Sequence, residues 1–375
     1  MQERPLDEAA KCAADKSQPP HGFTSRGKLL RIVLGYLVGG LGALVFLTLK
    51  LPLPWFLGAL SFCLVAAVLH APIERPRAMS IPVRAVLGVA IGAAFSPTLL
   101  SMLGSMAGSL LLVVPFMLFI MVTGLLFFER LAKFDRPTAF FCAVPGGLTD
   151  MVSMSADAGA NVRAVTLIQA TRILMIVALL PFWLQLSGQQ GIGGAMPPGV
   201  HLLDFSLQDA LVLVGLGWAG WLAARKIGLA GAPLVGPMIL SGLAHAGGLT
   251  SAKVPVEVMI FAQVTLGIML GAQFRGLTWR EFSATMTWGI AFALVLVVLT
   301  GFVALGVSEL TGFDSTSVLL AFAPGGQTEL NLLAYILGLD VAYTALHHLV
   351  RLAVVILGAQ LVFVANRAWR GSGDL

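Results

Sequence analysis

Charge is scarce in this sequence. Only 11% of its 375 residues are Asp, Glu, Lys or Arg, whereas an ordinary soluble domain carries about 25%. Two long stretches, Ala85 to Phe128 and Phe282 to Ser308, hold no ionisable side chain at all. Hydrophobic residues make up 58% and the mean hydropathy is +0.91. A soluble helical protein of this composition would lack a covering surface. About 20 consecutive apolar residues suffice to cross roughly 30 Å of hydrocarbon, and several segments reach that length.

Other absences narrow the function. Three cysteines, Cys12, Cys63 and Cys142, form no metal spacing, and their odd number argues against a disulfide framework. The six histidines are His21, His70, His201, His245, His347 and His348. Only the last two are close, and adjacent residues do not share a helix face. That pattern speaks for no metal or other cofactor and lowers the weight of an enzyme such as a copper or iron oxygenase. No Gly-rich loop ending in Lys-Ser/Thr is present, so an ATP-driven pump would need another subunit. The isoelectric point near 9.4 comes from bases scattered at helix ends, not from one basic face, which argues against direct nucleic-acid binding.

The apolar segments come in two matching series. Residues 1–31 are polar and read as a disordered cytoplasmic leader. The run at 32–49 lacks a small-residue cleavage pattern and reads as a spanning helix, not a processed signal. Further elements are predicted at 54–70, 82–99, 103–128, an interrupted 137–158, and 161–186. A linker at 187–204 leads to a second series at 207–224, 231–247, 256–274, 282–306, an interrupted 316–334, and 340–366. The prediction is an all-α membrane protein with repeats at 32–186 and 205–366 and a cytoplasmic tail at 367–375. "FLGAL" at 56–60 aligns with "LVGPM" at 234–238. Gly88 and Gly92 align with Gly267 and Gly271, small residues four apart that favour close helix packing and leave a homo-oligomer open.

The clearest duplication is a break. Pro145-Gly146-Gly147 and Pro324-Gly325-Gly326 interrupt apolar helices 179 residues apart. Proline removes a donor and clashes with the preceding turn, and paired glycines permit unusual dihedrals. New half-helices would begin at Leu148 and Gln327, pointing free N–H groups inward and favouring an anion. Thr149 and Thr328, with Asp150 and Glu329, fall in their first turns. The threonines would either cap those turns or touch a ligand. Carboxylates in low dielectric mark a proton, cation or solute path.

The helix that follows each break carries a polar stripe. Asn161, Val165, Gln169 and Arg172 keep to one face, as do Asp340, Thr344, His348 and Arg351 at the same offsets. Arginine within a bilayer faces protein or water and pairs there. Asp150, Glu329 or an anionic solute are the candidate partners, against a structural ion pair or snorkelling. His348 would relay a proton or simply pack. Its counterpart Gln169 cannot titrate. His347 lies off the stripe and is expected to pack.

Positive charge selects the topology. If both interrupted elements enter and leave on one side, each half crosses five times and the halves are inverted. With the N-terminus inside, nineteen Lys/Arg then fall inside, and two, Lys50 and Lys253, outside. Full crossing by the interrupted elements gives fifteen and six. The first arrangement obeys the positive-inside rule better. Inverted repeats with broken helices are a plan of secondary transporters, with the site at the repeat interface.

The paired "VPGGLTDM" and "APGGQTEL" segments, each followed by a helix with an aligned arginine, resemble the AbrB-type duplicated membrane protein family. Members of that family carry two labels, ammonia monooxygenase and regulator of gene expression, and share a name with a small soluble DNA-binding regulator of quite different composition. The resemblance and the residues together lead to an inner-membrane, multi-pass protein in the lipid bilayer with a cytoplasmic N-terminus. It would bind a small polar or anionic solute, with H+ or Na+ as coupling ion, as a transporter, or alternatively as a sensor acting on gene expression indirectly, with a membrane monooxygenase as the less favoured alternative.

Overall fold

The computed structural model describes the backbone at 25–95, 99–146, 148–186, 196–197, 199–229, 231–275 and 279–371. Fourteen α-helices fall among the described residues, seven in each half. In the first half they are α1 Ser25–Thr48, α2 Ala59–Val68, α3 Ser80–Gly92, α4 Leu99–Arg130, α5 Arg136–Ala143, α6 Leu148–Asp157 and α7 Val162–Leu186. A π-turn at Pro54–Gly58 leads into α2. The second half has α8 Leu207–Lys226, α9 Ala232–Ala246, α10 Val256–Gly271, α11 Trp279–Thr311, α12 Ser315–Phe322, α13 Gln327–Ile336 and α14 Val341–Gly371. Every predicted apolar segment is a helix, and both interrupted ones are a pair of short helices. Boundaries shift by a few residues throughout, and two differ by seven. α1 starts at Ser25, because the polar turn bearing Lys28 and Arg31 continues the helix. α3 ends at Gly92, short of the predicted 99, in a turn at 93–95 ahead of Pro97. Leader residues 1–24 and linker residues 187–195 lie outside the described residues.

Six described helices have the length and apolarity to cross a membrane, within Gly27–Thr48, Gly104–Arg130, Val162–Leu186, Leu207–Lys226, Val256–Phe274 and Met286–Thr311. Their outer faces carry large apolar side chains that no other described residue covers. Leu111 is 72% exposed, Phe302 71% and Trp218 62%. A water-soluble protein does not expose apolar surface on this scale. The protein is a multi-pass membrane protein.

The two halves pack by exchange. α3 of the first half lies against α9 of the second, and α10 of the second lies against α2 of the first. A Cβ at Gly88 or Gly92 would run into the backbone of α9 at Leu234, Met238 and Gly242. A Cβ at Gly267 or Gly271 would run into the backbone of the π-turn at Phe56 and of α2 at Leu60 and Leu64. These are equivalent contacts, so the aligned glycines are there to let backbones touch. The same holds within each half, where Gly42 meets Gly58 and Gly220 meets Gly236. α4 and α7 are likewise exchanged, packing on α14 and α11 respectively. The inter-helix pattern therefore carries the symmetry of a duplication.

Each interrupted element is a hairpin that returns to its starting level. The Asn161 N–H, just ahead of α7, donates to Thr138 Oγ1 in the first turn of α5 at 2.8 Å. In the second half the Phe313 ring, just ahead of α12, packs at a tilt on Tyr343 in the first turn of α14 at 4.6 Å between centroids. α5 and α12 have eight residues each, about 12 Å of helix at 1.5 Å per residue. That is under half of a bilayer's hydrocarbon.

Candidate functional site

The first arm of each hairpin is started by the same device. Asp135 accepts from the Thr138 N–H at 3.2 Å and Asp314 accepts from the Ser317 N–H at 2.9 Å. Both are N-caps that satisfy an orphan donor. Each arm then stops in front of Pro145 or Pro324, leaving carbonyls near the break without helical partners.

The polar stripes on α7 and α14 supply those partners. Gln169 donates through Nε2 to the carbonyls of Phe141 at 2.6 Å and Val144 at 2.9 Å. Arg172 Nη1 donates to Val144 at 3.1 Å. In the second half His348 Nε2 donates to Leu320 at 3.1 Å, and Arg351 Nη1 donates to Ala323 at 2.5 Å. Leu320 and Ala323 are the residues equivalent to Phe141 and Val144. Arg351 Nη2 also donates to Gly325 at 3.1 Å. A cation at the carbonyl end of a helix is favoured by the helix dipole as well. Arg172 is 1% exposed and Arg351 5%. Both arginines thus help to close a broken helix from its carbonyl end, and they lie within electrostatic range of each other.

The second arms present the opposite pole. α13 begins at Gln327, and its N-cap Gly326 has no side chain with which to cap the first-turn N–H groups. Thr328 is buried there without capping the turn. The Glu329 carboxylate folds back over this turn, so that a Cβ on Gly326 would meet its Oε2. Arg84 of α3 and Arg351 both act on that carboxylate electrostatically. No arginine stands within ion-pair distance of it among the described residues. Gly325 and Gly326 sit against Ile176 and Ile173 of α7, so the second break touches the first half directly. α6 begins at Leu148 as expected. Gly146 packs against Met151. Gly147 and the side chains of Thr149 and Asp150 lie outside the described residues.

The far ends of the stripes do other work. Asn161 accepts from the Ala164 N–H at 3.1 Å, and Asp340 accepts from the Tyr343 N–H at 2.9 Å. Both cap the helix that follows, a full helix-third away from the breaks. Thr344 donates to the Asp340 carbonyl at 3.2 Å. His347 is buried between Tyr343 and Phe322 and meets Ser109 of α4 at 3.0 Å, tying α14 to α4. It packs, as its place off the stripe implied.

Several buried polar side-chain atoms have no hydrogen-bond partner among the described residues. Gln169 Oε1, Arg172 Nε and His348 Nδ1 are among them, as are Arg84 Nε, Gln263 Nε2, Gln327 Nε2 and both amide atoms of Asn331. Gln169 and His348 occupy equivalent positions, and each offers an unpaired acceptor beside its break. Asn331 is 0% exposed. A buried unpaired polar group costs about 1–3 kcal/mol, so such groups mark places where a water, ion or solute belongs. Three of these residues escape a reading by repeats. Asn331 faces Val152 in the other half, while Arg84 and Gln263 are equivalent residues on α3 and α10. Their polarity amid apolar runs was the available signal. Among the described residues no three His, Cys, Asp or Glu side chains gather as a metal cluster.

These features define a polytopic helical membrane protein with a duplicated, cation-closed helix break in its core. Its sequence matches the family described as "Transition state regulatory protein AbrB" over residues 55–366, and the chain belongs to that AbrB family. It is similar to the uncharacterized protein YhjN of Bacillus subtilis, at 27% identity over 72% of this chain and 74% of that protein. It is also similar to a protein of Escherichia coli provisionally named regulator AbrB, at 23% identity over 83% of this chain and 89% of that one.

Proposed function

We propose that the protein is a secondary transporter of the inner membrane for a small polar or anionic solute, coupled to protons or sodium. Two inverted repeats of five crossings and one re-entrant hairpin would hold the solute between the breaks, with the N-terminus in the cytoplasm. One observation carries this reading: buried polar atoms of both halves lack a partner among the described residues, and the second break packs directly against α7 of the first half. Inversion is supported by α4 and α11, equivalent helices in which Gly124 and Phe128 lie by Phe292 while Phe127 lies by Trp288.

In the transport reading Arg172 and Arg351 hold the breaks open as polar backbone, and do not themselves clamp the solute. The free N–H groups of the α13 first turn attract an anion, and Glu329 occupies that place when the site is empty. A proton or cation that neutralises Glu329 would release the turn for the solute. Asp150 would do the same in the first half. Reconstituted into vesicles, the protein should take up some member of a panel of small carboxylates and oxyanions. The double variant Asp150→Asn, Glu329→Gln should abolish the ion coupling of that uptake. Unchanged coupled uptake in the double variant would count against the mechanism.

The second reading is a sensor that binds the same solute and affects gene expression indirectly. The name of the Escherichia coli relative favours it. Saturable binding with no flux into sealed vesicles would select it over transport.

A further inference from the structure

At the start of α1, Gly27, Leu30, Arg31 and Leu34 form with Pro72 a groove of about 250 Å³. The loop carrying Pro72 is held beside the helix, since the Glu74 N–H donates to the Arg31 carbonyl at 3.2 Å. The one acidic residue of that loop is already paired, to Arg275 at 2.7 Å. The cations nearest in the chain are Lys28, one turn before Arg31, and Arg75 and Arg77 on the loop. Below the groove the exposed face of α1 is a track of leucines. Leu30, Leu37, Leu41 and Leu44 are 54–71% exposed, and their spacing keeps them on one side of the helix.

We propose that this groove is a binding site for one anionic phospholipid of the surrounding bilayer. The lipid phosphate would sit by Arg31, Lys28 and Arg75, and an acyl chain would follow Leu37, Leu41 and Leu44. One arginine in the groove wall, with further bases close by in the chain and an apolar track alongside, matches that one amphiphile, and basic pockets are recognition sites for acidic headgroups. The other half has no copy of it. Asp209 stands at the position equivalent to Arg31, and Ser206 at that of Lys28. The proposal needs the membrane setting and does not depend on whether the protein transports.

The test uses the full chain in a mild detergent, with lipid retention read by native mass spectrometry and unfolding temperature in parallel. Phosphatidylglycerol should be retained and should raise the unfolding temperature, while phosphatidylcholine should do neither. Arg31→Gln should weaken phosphatidylglycerol retention about fivefold, the worth of one basic residue at an anionic membrane surface. Gly27→Trp fills the groove, leaves every charge in place and lies away from the core, so it should weaken retention as well. Equal retention of both lipids, or retention unmoved by both variants, would overturn the proposal. A rise with inorganic phosphate as large as with phosphatidylglycerol would also overturn it, by showing an ion site in place of a lipid site.

Discussion

The first and second breaks are closed alike and furnished differently. Gln169 and Arg172 hold Phe141 and Val144, and His348 and Arg351 hold the equivalent Leu320 and Ala323. Beyond the break the likeness fades. α13 carries Gln327 and Asn331 where α6 carries Leu148 and Val152. The closure is what any broken helix inside hydrocarbon requires, because unpaired carbonyls there are costly. The lining is free to differ, and it does so in both directions, since Ser153 and Ser155 of α6 stand where α13 has Leu332 and Ala334. Equal residues therefore report on the fold, and unequal ones on what the fold is for.

The largest effects should come from the shared closure. Arg351→Ala removes two described charge-assisted bonds and Arg172→Ala removes one, each worth about 1.5–3 kcal/mol. Gln169 would still hold the first break through two carbonyls, so the second break should suffer more. Unfolding in detergent would measure both, and an equal or reversed loss would break the assignment. Next are the aligned glycines. Gly88→Ala and Gly267→Ala should each lose about 1–3 kcal/mol through overpacking against a neighbouring backbone. Similar losses in the two would sharpen the case that their contacts are equivalent.

Smaller and of opposite sign is the change at Asn331. Asn331→Val installs the residue of the first half and deletes two unpaired atoms. Stability should stay level or rise by about 1 kcal/mol, while solute binding or uptake by vesicles falls. A stability loss with uptake intact would make Asn331 a packing residue. The smallest effect lies where the segment ahead of α8 meets the first turn of α10. His201 Nδ1 and the Leu202 N–H both meet Glu257, at 3.0 Å. The hydrogen bond to Glu257 and its charge raise the His201 pKa above the ordinary value. The contribution of this contact is full below about pH 6.5 and fades as the pH climbs through the raised folded value. Hydrogen exchange at the Leu202 amide should accelerate over that window, and Glu257→Gln should flatten the response.

Much of this architecture could be read before any coordinates. Apolar length located the helices, and Pro-Gly-Gly located both breaks and the first residues of α6 and α13. The offsets of Gln169 with Arg172 and His348 with Arg351 put them on one face. What they hold was not readable, because orphan carbonyls carry no sequence letter. An arginine in a membrane suggests a carboxylate, and here its described partners are backbone. Asn161 and Asp340 share the stripe yet serve as caps, since a helix start needs an acceptor wherever the stripe happens to begin. Asn331 stayed hidden behind the repeat itself. Alignment draws the eye to pairs, and Asn331 faces a valine.

The exchange of α3 and α10 between halves has a bearing on how the chain is made. When only residues up to the linker have been synthesised, α3 displays a backbone groove at Gly88 and Gly92 whose occupant, α9, does not yet exist. The new half must wait in the bilayer with that seam open, and so must α2. Neither half would be a finished object if the gene were cut at the linker. Co-expressed, the two pieces should find each other, for each carries the missing ridge of the other.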